Sequence, residues 1–120
     1  MNGTSKLLQD LLQKVQGSVS CSSRIKIVAQ GPDTVTIQVG SNMAALVSIS
    51  VHNADEPSFA VTYPKLVCKR GAEMIVEDTF SDIRSTAVAW IVRKVFRFGF
   101  VPPEGYRKDH RKNTAKSGKH

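Results

Sequence analysis

The chain has 120 residues, of which 41% are apolar, 22% charged and 7% aromatic, with a formal net charge of +7. That composition suits one small globular domain, and no apolar run reaches the roughly 18 to 20 residues of a membrane helix. The leucines of Met1 to Gln16 are broken by Lys6, Asp10 and glutamines, which is not the apolar core of a signal peptide. Two cysteines, Cys21 and Cys68, are too few for a disulfide scaffold, so both read as thiols in a reducing, intracellular setting, cytoplasmic or nuclear.

The charge is segregated. Residues 1 to 92 carry as many acidic as basic side chains, whereas residues 93 to 120 hold nine basic residues against Glu104 and Asp109, the whole of the +7. A cationic block of this kind suits a phosphate backbone, because each Lys or Arg laid along it releases a condensed counterion.

In chain order, Leu7, Leu8, Leu11, Leu12 and Val15 share one arc of a helical wheel, so residues 5 to 16 read as an amphipathic helix capped by Asn2, Thr4 or Ser5 and stopped at Gly17. Period-two alternation then predicts three half-buried strands: Ile25, Ile27 and Ala29 inward, then Val35, Ile37 and Val39, then Val47, Ile49 and Val51. Gly31-Pro32-Asp33 and Gly40-Ser41-Asn42 supply the turns of an antiparallel meander. Phe59, Val61 and Tyr63 continue it as a fourth strand that Pro64 is expected to end or kink, with short edge strands at Leu66 to Lys69 and Met74 to Val76.

Thr79-Phe80-Ser81-Asp82 has the form of a capping box with Asp at its last position, which predicts a second helix over about 80–98, ended by Gly99. Its apolar arc, including Phe80, Ile83, Ala87, Val88, Trp90, Ile91, Val92, Val95, Phe96 and Phe98, is wider than one sheet face needs. The predicted fold is therefore α+β: an N-terminal helix, an antiparallel sheet of four to six strands and a C-terminal helix, both helices on one sheet face. Residues 1–100 form the domain and 101–120 a disordered basic tail. The element order resembles that of the small Alu-domain subunits of the signal recognition particle, which grip RNA, and of kinase-associated membrane-targeting domains, which bind anionic lipid. Tyr63-Pro64 resembles the tyrosine-proline step of RWD-type interaction domains. These are likenesses of element order and a dipeptide, and function does not follow from them.

The candidate chemistry is that of binding. GxSxG, GxxxxGK[ST] and GxGxxG are all missing from the sequence. Cys21, Cys68, His52, His110 and His120 are scattered, so neither a metal nor any other cofactor is expected. The acidic group Glu73, Glu77, Asp78 and Asp82 reads as a solvated rim in which Asp78 and Asp82 serve the helix start. No aromatic platform falls on the polar sheet face formed by Thr34, Thr36, Gln38, Ser48, Ser50, His52 and Thr62, which disfavours base stacking there.

The expected function is a non-enzymatic assembly module, a ribonucleoprotein component. Its nucleic-acid contacts are assigned to Arg93, Lys94, Arg97, Arg107, Lys108, Arg111, Lys112, Lys116 and Lys119, with Arg24 and Lys26 as a secondary basic edge and RNA favoured over DNA. The alternatives are a protein-interaction subunit, binding a partner or a second copy through helix 79–98 with Trp90, Val92 and Phe96 at its interface, and, behind it, a peripheral domain on anionic lipid.

Overall fold

The computed structural model describes residues 5–19, 25–40 and 45–105. Two helices flank a five-stranded antiparallel sheet: α1 (Lys6–Gly17), β1 (Ile25–Gln30), β2 (Thr34–Val39), β3 (Ala45–Asn53), β4 (Ser58–Lys69), β5 (Ala72–Ile83) and α2 (Ser85–Phe98), with the strands side by side in chain order.

Ser5 caps α1, its hydroxyl accepting the Leu8 N–H at 3.4 Å, and Leu8, Leu11, Leu12 and Val15 form the buried stripe. The Ser5 N–H donates to the carbonyl of Pro32, tying this helix start to the β1–β2 turn. Val35, Ile37 and Val39 of β2, Val47 and Ile49 of β3 and Phe59, Val61 and Tyr63 of β4 fill one side of the sheet, as the alternation predicts. They join the buried residues of α1 and of α2 (Val88, Ala89, Ile91, Val92 and Val95) in a single hydrophobic core. The opposite sheet face carries hydroxyls paired across strands, Thr36 with Ser48 at 3.1 Å and Thr62 with Thr79 at 2.9 Å.

Four expectations are corrected. Of β1 only Ile25 is buried, and Ile27 and Val28 are half-exposed, because a bulge between Ile27 and Ala29 breaks the alternation on this edge strand. Pro64 neither ends nor kinks its strand: it pairs with Glu77 in the middle of β4. Its carbonyl accepts the Val101 N–H at 2.8 Å. Since N–H and C=O of one strand residue point to the same side, the missing donor of Pro64 faces the edge where pairing with β3 has already stopped at Thr62.

The third correction concerns residues 79–83. They are the end of β5, with Thr79 opposite Thr62, Phe80 opposite Val61 and Ile83 opposite Phe59. A capping box is worth about 1 kcal/mol, and the β4 ladder together with the stacking of Phe80 on Tyr63, at a ring separation of 5.5 Å, outweighs it. The extra residue between Phe80 and Ile83 is a bulge, with Asp82 in the left-handed conformation at φ 59°. The helix begins at Ser85 with Arg84 as its N-cap, and no side chain caps it.

Fourth, Val101 was expected beyond any regular structure, yet it is buried in the core and forms a parallel bridge to Lys65. Gly99 makes this return possible: at φ 88° its N–H closes on the Val95 carbonyl at 2.7 Å and turns the chain back toward β4. The Leu66 N–H then donates to the Val101 carbonyl at 3.0 Å.

A candidate nucleic-acid interface on the second helix

Burial of Val88, Ala89, Ile91, Val92 and Val95 fixes which way α2 faces. The residues left on its outer side are Thr86, Trp90, Arg93, Lys94, Arg97 and Phe98, none of them acidic. Trp90, the sole tryptophan, is 42% exposed. One helical turn separates Trp90 from Lys94 and Lys94 from Phe98, so the ammonium can reach both rings. Lys94 Nζ lies 5.5 Å from the indole centroid and 5.8 Å from that of Phe98. Arg97 adds its guanidinium 5.3 Å from the same Phe98 ring, and Phe100, past the Gly99 turn, stacks on Phe98 at 6.1 Å. The result is a line of rings and cations along the exposed side of α2.

Such cation–π contacts are worth about 0.5 to 1 kcal/mol at exposed sites. They are too weak to neutralise Lys94 and Arg97, but they hold the charges in place beside an accessible ring. A cation of this kind pairs with phosphate, and an open indole face accepts a base. Arg93 projects from the same side and is exposed. All three cations also lie toward the negative end of the helix dipole, which favours them there with or without a ligand.

Of the predicted site residues, Arg93, Lys94 and Arg97 are brought together. Lys26 is exposed on β1 and takes no part in the ring–cation contacts. Arg24, Arg107, Lys108, Arg111, Lys112, Lys116 and Lys119 lie outside the described residues, as do Cys21, His110 and His120. Of the three residues assigned to a protein interface, Val92 has no exposed surface, Phe96 is partly buried against the core and Trp90 is open. The wheel over 80–98 misled because its first turn is strand, which left the wide apolar arc without a unique inward direction.

Among the described residues no group of His, Cys, Asp and Glu is placed to hold a metal ion, and no helix is long and apolar enough to cross a membrane. His52 is exposed, and Cys68 is a free, exposed thiol. Within the acidic group, Asp78 does not start a helix. Its carboxylate accepts from Lys65 Nζ at 3.2 Å, from the Tyr63 hydroxyl at 3.4 Å and from the Thr79 N–H at 2.9 Å. The Thr79 N–H and Lys65 hold the Asp78 carboxyl below its ordinary range. Burial, then the charge of Asp78 and the hydrogen bond to it, push Tyr63 up to about 12.

Comparison of the chain with protein-family models, curated proteins and solved structures returned no match.

Proposed function

We propose that the protein is a non-enzymatic nucleic-acid-binding module, acting as a component of a ribonucleoprotein. Phosphates run along Arg93, Lys94 and Arg97 and onto the basic segment beyond Gly105, while Trp90 offers its free face to a base. RNA is preferred over DNA because unpaired bases, which an exposed ring can stack, are commonest in RNA loops and ends. The observation that carries this reading is the ring–cation line on α2, which is followed in the sequence by the segment holding the remaining basic excess. The open sheet face contributes mainly hydroxyls, with His52 at the end of β3 and no Phe, Tyr or Trp among its described residues, so it offers less for base stacking than α2.

The test is titration of the full chain with single-stranded RNA, following Trp90 fluorescence at several salt concentrations, with vesicles of anionic and of neutral lipid run in parallel. Quenching by RNA that weakens steeply with salt supports the proposal. A response to anionic vesicles alone replaces it with the lipid reading, and no response to either overturns both.

A further inference from the structure

β5 is an edge strand of twelve residues, none of them buried. Met74, Ile75 and Val76 in its first half are 51%, 52% and 36% exposed. Long edges expose a row of unpaired backbone donors and acceptors, and proteins commonly blunt them with lysine, proline, a bulge or brevity. The opposite edge, β1, has such defences: six residues, a bulge at Val28 and Lys26. β5 has neither Lys nor Pro, and its bulge comes only after Phe80, so among the described residues no strand pairs with the outer side of 72–80. Beyond Thr62 the β4–β5 hairpin has lost β3 as a neighbour, and past Leu66, where the bridge to Val101 ends, it is a ribbon of two strands, which is marginal in water by itself.

The charge of this edge is opposite to that of the chain. Glu73, Glu77, Asp78 and Asp82 lie on β5, which has no basic residue. A nucleic acid is repelled here, and a second β5 in isologous pairing would double the carboxylates along one seam. Glu73, Ile75 and Glu77 project to one side of the strand, Met74 and Val76 to the other.

From this we infer that the outer edge of β5 binds an extended segment of a partner protein by strand addition, and that the segment carries a basic residue, three apolar residues and a second basic residue in succession. In antiparallel register its cations stand opposite Glu77 and Glu73, and its apolar residues opposite Val76, Ile75 and Met74. Main-chain pairing supplies the affinity, and the alternate side chains supply the selection. This surface is separate from the α2 stripe, so the protein can join a protein strand to a nucleic acid.

The probe is a fluorescein-labelled peptide, Ser-Lys-Val-Ile-Val-Lys-Ser, read by polarisation with the full chain and by hydrogen exchange. The expected result is salt-sensitive binding with slowed exchange confined to amides of residues 72–80. Exchanging both peptide lysines for Glu, or its valines for Pro, should weaken binding at least about tenfold. The variant Glu73→Lys/Glu77→Lys should reverse the preference and take the Glu peptide. The proposal is overturned if the charge swap leaves the preference unchanged, if protection falls elsewhere, or if the chain alone forms a dimer with its β5 amides already protected. Binding of RNA by the same charge-swap variant reports on the α2 stripe separately.

Discussion

Tyr63 and Asp78 face each other across β4 and β5, and the phenol donates to the Asp78 carboxylate at 3.4 Å from a residue that is only 1% exposed. The same carboxylate takes Lys65 at 3.2 Å, so a core residue and a solvent-facing cation are coupled through one acid. The Tyr63 hydroxyl is pushed up to about 12 against an ordinary 10.0. Its neutral form is favoured in the folded state, so this stability is fully present below pH 10 and is lost as pH rises toward 12. Tyr63→Phe should cost about 0.5 to 1.5 kcal/mol near neutrality and flatten the alkaline limb of Tm between pH 10 and 12. An unchanged limb would show that the phenol does not set it. Asp78 runs the other way: its lowered value stabilises above the ordinary carboxylate range and is lost in acid, weakly because the group is open to solvent.

Trp90→Ala should cost less than about 1 kcal/mol of stability, whereas Ile91→Ala, one position on and buried, should cost about 2 to 5 kcal/mol. If Trp90 stacks a base, the same Trp90→Ala chain should lose about 1 to 3 kcal/mol of RNA affinity. Denaturant melts and binding titrations on the two variants separate the roles. Trp90→Ala unfolding as easily as Ile91→Ala would place the indole in the core.

The basic segment should govern the salt dependence. If four of its residues engage single-stranded RNA, log affinity should fall against log salt with a slope of about −3. Replacing Arg107, Lys108, Arg111, Lys112, Lys116 and Lys119 by Gln should flatten that slope and leave Tm unchanged. Replacing Arg93, Lys94 and Arg97 should weaken binding further and lower Tm slightly, through loss of the helix-end contribution of Arg97, a few tenths of a kcal/mol. A slope that survives removal of all nine charges would refute phosphate contact by this region.

Truncation measures where the fold ends. A chain stopped after Gly105 should melt as the full chain does. Stopping after Gly99 removes Val101 with its two backbone bonds to β4, at a cost of roughly 2 to 4 kcal/mol and a Tm lower by about 10 °C or more. Equal Tm for the two truncations would mean that Val101 contributes nothing to the core.

Asp82 tests the bulge. In the left-handed conformation a glycine is unstrained and a β-branched residue is not. Asp82→Gly should therefore keep or raise stability by up to about 1 kcal/mol, and Asp82→Val should lose about 1 to 2 kcal/mol. Were Asp82 a helix-capping group, Gly would lose stability as well, so urea melts of the two variants decide the matter.

The amino-acid sequence by itself determined whatever depends on near neighbours. α1 follows from the spacing of Leu8, Leu11, Leu12 and Val15, and the inward faces of β2 and β3 from strict alternation through Val35 to Val39 and Val47 to Ile49. The turn at Gly31 and the concentration of charge after residue 92 are local too. The tertiary structure decided whatever required a distant partner. Thr79 to Asp82 resemble a helix start, and they become strand because residues Phe59 to Thr62 offer a ladder worth more than a cap. Pro64 and Val101 find each other through the turn at Gly99, which no pattern near either residue announces. The orientation of Trp90 followed in turn. Once α2 begins at Ser85 and buries Val88, Ile91, Val92 and Val95, the indole is left on the outer side beside Lys94, because a helix has one inward face and those four residues occupy it.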